Sequence, residues 1–310
     1  MKISYSILLF SFCPLAGMST PTKKVLLSPS NSPVVITPTS RKVRVDMLKA
    51  ISKAIEGQDT DENVDPELLD SEVAKASPQS FLNIARKSYA DFFAQEFEDH
   101  GVSLALVKEQ ISPTRASIKD VAKATDGLCS PASTPIKKAG EEIARRLGQT
   151  LEFRRANTGI EAYLNDNQVV IDEEVLKHIA SSPESLKVIA GHEAGHKIGD
   201  DQVERKAYTK AFEKVALTKE LEEIKKRKWR SQETFADLTP ALQSPTLAKA
   251  CKRVIDRVIA QNREASEEYP TNSERRDLAV AASAFHEQHA KEKQRKIRRS
   301  LLKELEEAGQ

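Results

Sequence analysis

Residues 182–196 read Ser-Pro-Glu-Ser-Leu-Lys-Val-Ile-Ala-Gly-His-Glu-Ala-Gly-His, and this stretch carries the clearest structural signal in the chain. Ser182 is a preferred N-cap residue, Pro183 suits the first helical turn, and Glu184 is favourable beside a helix N-terminus. Aliphatic residues follow at once. The stretch therefore predicts a helix that is apolar up to its two histidines.

The end of this helix has the H-E-x-x-H pattern, formed by His192, Glu193 and His196. Positions i and i+4 lie on one helical face, so the two imidazoles can bind one Zn2+. Zinc lowers the pKa of a bound water, and the carboxylate of Glu193 can take the proton. The pattern predicts a hydrolytic zinc site. The alternative, a pair of surface histidines, is disfavoured by the apolar run before the motif.

A catalytic zinc site needs a third protein ligand, and Glu233-Thr-Phe-Ala-Asp237 offers one. Glu233 and Asp237 are one helical turn apart and share a face. Glu233 can ligate the metal, while Asp237 can bind the free ring nitrogen of a ligand histidine and orient it. Taken alone, these two residues would be interpreted as ordinary surface acids.

Together, the two elements resemble the zinc metallopeptidases typified by HtpX, the CAAX prenyl proteases and BepA. Glu161-Ala162-Tyr163, followed by the Val169–Ile171 strand, is similar to the N-A-F segment of that family and the edge strand that holds substrate. Tyr269-Pro270, with Arg275 further along, is similar to its H-P-x-x-x-x-R element. The resemblance covers approximately residues 136–285 of the chain.

The resemblance implies a gluzincin: a helix-rich, thermolysin-like peptidase domain with a small sheet over a zinc cleft. The residues that it implies for the site are the ligands His192, His196 and Glu233, the general base Glu193, the supporting Asp237, and Tyr269 and Arg275 at the cleft. Tyr269 stands where the family has histidine, and either residue can donate a hydrogen bond to the oxyanion. Glu161 replaces the family's asparagine.

The surrounding pattern predicts a mainly α (α+β) fold. The metallopeptidase domain is expected over 131–285, with a helix over 136–147 and strands near 151–155 and 168–171. A helical N-terminal region over 46–130 precedes it, and a charged C-terminal helix over 286–310 follows. That last helix is interpreted either as a solvated face or as a surface that binds a protein partner.

The N-terminus resembles an export signal. Residues 1–17 have a basic start, an apolar stretch and small residues, as a secretory signal peptide does; an ordinary apolar N-terminus is the alternative. Residues 18–45 are rich in Ser, Thr and Pro and are predicted to be a tether. Export predicts a periplasmic or secreted protein with no membrane span once the signal is removed. Cys129 and Cys251 would then remain, either as one disulfide or as two free thiols.

Composition limits the function further. The chain has 310 residues and a net charge of +2, so there is no global field to attract nucleic acid. Its 11 glycines form neither a dinucleotide-binding nor a P-loop motif. The sequence predicts a zinc metalloendopeptidase whose partner is a protein or peptide substrate. A peptidase-like binding or chaperone module and a helical interaction protein with an accidental H-E-x-x-H remain as alternatives.

Overall fold

Helices make up most of the described chain, as the sequence predicts. The helices are α1 (Pro38–Glu56), α2 (Pro78–Asp99), α3 (Thr134–Arg146), α4 (Glu173–His178), α5 (Pro183–Ile198), α6 (Asp201–Phe212), α7 (Lys219–Ala241), α8 (Pro245–Ala260) and α9 (Asn272–Ala308). The computed structural model describes residues 38–57, 73, 76–103, 129–156, 162–165, 167–178, 182–260 and 269–308. The signal peptide, residues 18–37 of the expected tether and Glu161 lie outside these ranges.

One small sheet accompanies the helices, with the strand order β1-β2-β4-β3. The strands are β1 (Cys129–Pro131), β2 (Glu152–Ala156), β3 (Ala162–Asn165) and β4 (Gln168–Asp172). Strand β4 pairs parallel with β2 and antiparallel with β3, and β3 and β4 form a hairpin.

The resemblance linked the Val169–Ile171 strand to a substrate-holding edge, but this run lies in the interior strand β4. All three residues are at most 2% exposed, as is typical of a continuous apolar run in a strand with neighbours on both sides. The edge of the sheet on this side is β3, which lies against α5. Whether a strand lies at the edge or in the interior depends on which strands pair with it, and the residues of β4 alone do not indicate its partners.

Helix α5 lies at the centre of the helical part and contacts α3, α7 and α8. Two of its glycines permit this close packing. A Cβ on Gly191 would lie 2.8 Å from Cβ of Pro240, and a Cβ on Gly195 would lie 2.8 Å from Cα of Ala236. Pro240 and Ala236 both belong to α7, so the lack of side chains on α5 brings the backbones of α5 and α7 together.

The N-terminal helices share the hydrophobic core of the remaining chain. Phe97 of α2 lies 4.5 Å from Tyr208 of α6 between ring centroids, and Phe81 lies 5.1 Å from Phe285 of α9. Helix α1 packs on α7 and α9. The aromatic residues Phe81, Phe93 and Phe97 of α2 therefore belong to the core, and residues 38–57 and 76–103 complete the hydrophobic interior that surrounds α7.

Two expected boundaries fall inside helices. The tether was expected to reach residue 45, but α1 begins at Pro38, where proline suits the first turn. The early part of α1 is held by polar residues that hydropathy does not flag. Arg44 is 1% exposed, with its guanidinium 5.1 Å from the ring centre of Phe285. The boundary expected at residue 286 lies within α9, which runs unbroken from Asn272 to Ala308.

No helix in the described ranges combines the length and the apolar character that a membrane crossing requires. Cys251 is a buried free thiol on α8, which agrees with the free-thiol alternative for this residue.

Candidate metal centre

Helix α5, which carries His192, Glu193 and His196, has a well-defined N-terminus. The hydroxyl of Ser182 accepts a hydrogen bond from the backbone N–H of Ser185 at 3.1 Å, which confirms the predicted N-cap. The helix is buried along most of its length, including Glu193 at 5% exposed. The two histidines are partly buried and lie at its C-terminal end.

Helix α7 places Glu233 and Asp237 against these histidines. The two Nε2 atoms of His192 and His196 are 3.1 Å apart. Oε2 of Glu233 lies 3.4 Å from each of them. In the described part of the chain, these three residues are the group of His, Cys, Asp and Glu side chains that could hold a metal ion.

The outer nitrogens of both imidazoles bind carboxylates. Nδ1 of His192 donates to Asp237 at 2.9 Å, and Nδ1 of His196 donates to Asp201 at 2.9 Å. Each Nδ1 therefore carries a proton, and in the neutral imidazole the lone pair of Nε2 faces inward. Oε2 of Glu233 is buried without a hydrogen-bond partner. Three acceptor atoms thus converge on one point, an arrangement that a cation stabilises.

The separations of these atoms fit a tetrahedral ion. Metal–ligand bonds of about 2.0–2.1 Å give ligand atoms about 3.3–3.4 Å apart at the corners of a tetrahedron. The observed separations of 3.1, 3.4 and 3.4 Å are close to one face of it. The donor set of two imidazoles and one carboxylate leaves a fourth corner for water or substrate, as hydrolytic sites require.

The electrostatics of the pocket favour a positive charge between the ligands. Burial lowers the pKa of His192, but the hydrogen bond to Asp237 and the nearby carboxylate of Glu233 outweigh it and raise the pKa to about 9. Burial likewise lowers the pKa of His196, yet Glu233 and Asp201 bring it well above its ordinary value. A proton at Nε2 and a metal ion are competitors for the same position.

The pKa values of the carboxylates of Asp237 and Glu233 are shifted in the opposite direction, downward. Burial would raise the pKa of Asp237, but Arg275 and His192 hold it well below its usual range. Burial would also raise the pKa of Glu233, but His196 and His192 hold it well below as well. Both groups are therefore anionic at neutral pH. Glu193 differs from them, because burial raises its pKa, as suits a group that accepts a proton during a reaction.

Arg275 and Tyr269 both lie near these residues. Nε and Nη2 of Arg275 donate to the two oxygens of Asp237 at 2.7 and 2.8 Å. Arg275 thus holds the carboxylate that orients His192. The negative charge of Glu233, followed by burial, raises the pKa of Tyr269 to about 12, so its hydroxyl remains a hydrogen-bond donor at neutral pH. All seven residues expected at the site are in this region of the structure.

Three further residues at the site were not identified from the sequence. Asp201 holds His196, and Arg205 donates to Oε1 of Glu233 at 2.7 Å and to Gln232 at 2.6 Å. Arg230 donates to the backbone carbonyl of Tyr269 at 3.0 Å. The Gly199-Asp200-Asp201 stretch is a turn signal directly after α5, and Asp200 has φ 51°. That turn signal could have placed Asp201 close to His196. Arg205 and Arg230 have no comparable signal in the sequence around them.

Helix α6 also contacts β3, the edge strand of the sheet. The side-chain amide of Gln202 donates to the backbone carbonyl of Leu164 in β3, so α6 contacts both the sheet edge and the candidate metal ligands. His286, the first residue of the expected charged C-terminal helix, binds the carbonyl of Ala241 through Nε2 at 3.0 Å. The solvated face expected there is therefore wrong for His286, because the middle of α9 packs on other helices.

Comparisons with protein-family models, with curated proteins and with solved structures found no match to this chain.

Proposed function

We propose that this protein is a zinc metalloendopeptidase that hydrolyses peptide bonds with Glu193 as the general base. The observation that supports the proposal most directly is the convergence of His192, His196 and Glu233 with their inward atoms 3.1–3.4 Å apart. Two imidazoles and one carboxylate are a donor set of catalytic zinc sites. Glu193 is buried one residue from the first ligand, which favours hydrolysis over a structural role for the metal.

When bound, zinc would polarise the scissile carbonyl and make a water acidic enough to lose its proton near neutral pH. The chain supplies the remaining groups. Glu193 takes the proton from the attacking water and passes it to the leaving amine. Asp237 and Asp201 fix the imidazoles in the tautomer with the proton on Nδ1.

The developing oxyanion needs hydrogen-bond donors. Tyr269 keeps its phenol protonated, since its pKa is about 12. We assign it this role, in the place of the histidine that the resembled family has there. Arg275 acts through Asp237, which it binds with two hydrogen bonds. It is a positioning residue for His192.

The thermolysin-like architecture and the substrate class belong to the same proposal. Strand β3 is the sheet edge that lies against α5, so an extended peptide or unfolded protein segment is the substrate that fits an edge strand beside the site. We also propose that the protein acts outside the cytoplasm, on the basis of the signal-like residues 1–17.

The alternative is a peptidase-like binding module that keeps the metal but turns over little substrate. The burial of Glu193 argues against it, because burying a carboxylate costs stability and a proton-transfer role would account for a carboxylate at this position. The other alternative, a helical interaction protein with an accidental H-E-x-x-H, predicts no specific metal binding. Metal content separates that alternative from the other two.

The test combines metal analysis with proteolysis. We expect one zinc per chain and loss of it in His196→Ala. Glu193→Gln should keep the zinc and the far-UV circular dichroism spectrum but lose at least about a hundredfold in hydrolysis of an unfolded casein substrate. Glu184→Gln, on the same helix, is the matched control and should retain activity. Wild-type rates in Glu193→Gln would disprove the assignment.

A further inference from the structure

The C-terminal part of α9 is exposed on all sides within the described chain. Every residue from 293 to 307 is exposed, whereas Phe285 and Gln288 earlier in the same helix are buried. Sixteen residues, 293–308, correspond to about 24 Å of helix. A helix of this length is marginal on its own in water, so contacts beyond the body would contribute to its stability. We call residues 293–308 the tail.

The tail has an apolar stripe. Eight large aliphatic side chains in the described chain are at least 41% exposed, and four of them lie between positions 297 and 305. Ile297, Leu301 and Leu305 follow one another at intervals of four residues and share a face, with Leu302 beside them. Leu305 is 69% exposed. This clustering indicates an interaction surface, since scattered apolar residues would need no explanation.

The charges of the tail are segregated along its length. Between 293 and 299, five of seven residues are Lys or Arg; between 304 and 307, three of four are Glu. Two such tails placed in parallel would bring like charges together. Placed antiparallel, each basic half lies opposite an acidic half, with both apolar stripes facing inward.

We propose that the tail pairs antiparallel with the tail of a second copy of this chain. A twofold axis near Leu301 places Ile297 opposite Leu305 of the second copy. The same axis brings the basic turns with Arg295 and Arg298 to the level of the acidic turn with Glu304 and Glu307 of the second copy. A contact this short gives a weak dimer, whose formation depends on protein concentration and on salt.

An anionic membrane fits the tail less well. Glu304, Glu306 and Glu307 flank Leu305, so insertion of the stripe would bring three carboxylates to a negative surface. Self-pairing uses both the basic and the acidic half. The proposal is independent of the peptidase assignment, since no residue of the tail lies at the metal centre.

Sedimentation velocity of the full chain at low and high micromolar concentration tests the pairing. We expect a monomer–dimer equilibrium. The double variant L301A/L305A should raise the dissociation constant by about tenfold or more. The control S300A lies off the stripe and should leave it unchanged. Alanine preserves helix propensity, so circular dichroism and zinc content should not change in either variant.

Charge reversal tests the charge pairing between the two tails. R295E/R298E and E304R/E307R should each lose self-association, and their equimolar mixture should restore a dimer. A chain that stays monomeric at all concentrations overturns the proposal, as does a dimer that L301A/L305A does not weaken. Failure of the mixture to restore pairing overturns the charge pairing from which the antiparallel arrangement is argued. Monomeric protein that sediments with phosphatidylserine vesicles would instead assign the tail to membranes.

Discussion

Arg205 donates a hydrogen bond to Oε1 of Glu233 at 2.7 Å, while Oε2 of the same carboxylate faces the two histidines. The guanidinium also binds Gln232 and lies 5.5 Å from the ring centre of Trp229. Arg205 is therefore fixed on three sides and holds one oxygen of Glu233 away from the metal position. Each of the three candidate ligands thus has its own partner: Asp237, Asp201 and Arg205.

Arg205→Gln should weaken zinc binding by about 10- to 100-fold, because residues that orient ligands typically contribute that much to affinity. Arg205→Lys keeps the charge but cannot reach Gln232 and Glu233 with one planar group, so we expect an intermediate value. Competition with a chromophoric chelator measures both. An affinity for Arg205→Gln equal to that of wild type would show that Glu233 needs no such support.

Zinc affinity should fall as the pH falls. The pKa of His192 is about 9 and that of His196 is also raised, so at neutral pH metal must displace protons from these rings. We expect apparent affinity to rise by about tenfold per pH unit for each proton released. Calorimetry in two buffers of different ionisation enthalpy counts those protons. Affinity that is independent of pH between about 6 and 8 contradicts the shifts.

The metal-free protein should show the opposite trend in stability. A histidine whose folded pKa exceeds its unfolded value stabilises the fold below the unfolded pKa, and this contribution is lost as the pH rises through the folded pKa. For His192 that window runs from the ordinary 6.5 to about 9. Urea unfolding of metal-free protein should therefore show falling stability across it. His192→Gln should flatten the slope.

Gly195→Ala should damage the metal centre through packing alone. The new Cβ would lie 2.8 Å from Cα of Ala236, so α5 and α7 must separate and Glu233 must move from the histidines. We expect a cost of about 1–3 kcal/mol in unfolding free energy and weaker zinc binding. Gly140→Ala is the matched control, because its Cβ would clash with Phe153 at 2.4 Å. It should lose stability while retaining the zinc affinity of wild type.

Arg230 joins the N-terminal helix to Tyr269. It donates to the carbonyls of Ala54 and Ile55 at the end of α1, to the carbonyl of Tyr269, and to Glu274 at 2.7 Å. Arg230→Met leaves Glu274, 6% exposed, without this partner. We expect a loss of about 3 kcal/mol in urea unfolding. Arg253→Met, at an exposed position of α8, should change stability little.

The metal centre was largely predictable because helical spacing is local information. His192 and His196, like Glu233 and Asp237, are four residues apart, and i, i+4 geometry holds in any helix. The strand at 168–172 was visible in its β-branched run Val169–Ile171, whereas the strand at 152–156, expected near 151–155, has only Phe153 as a β-favouring residue. The residues of one segment could not indicate which helices and strands contact one another in the fold.

Asp201, Arg205 and Arg230 show the limit of this reasoning. Arg205 meets Glu233 across 28 positions, and Arg230 meets Ala54 across 176. Such pairs depend on how whole helices cross, and one arginine among the chain's 48 Lys and Arg residues has no local mark. The start of α1 was missed for a similar reason. Its buried positions include Ser40 and Arg44, and Arg44 donates to Ser40 in the same helix and to Glu292 of α9.

The packing of α1 on α9 has a consequence for how the protein is made. The first described helix and the last one cover each other, and Arg275 of α9 holds the carboxylate of Asp237. Until residues 272–308 have been synthesised and have left the ribosome, a nascent chain lacks both α9 and this arginine. Because synthesis proceeds from the N-terminus, the growing polypeptide cannot hold Asp237 through Arg275 before α9 emerges.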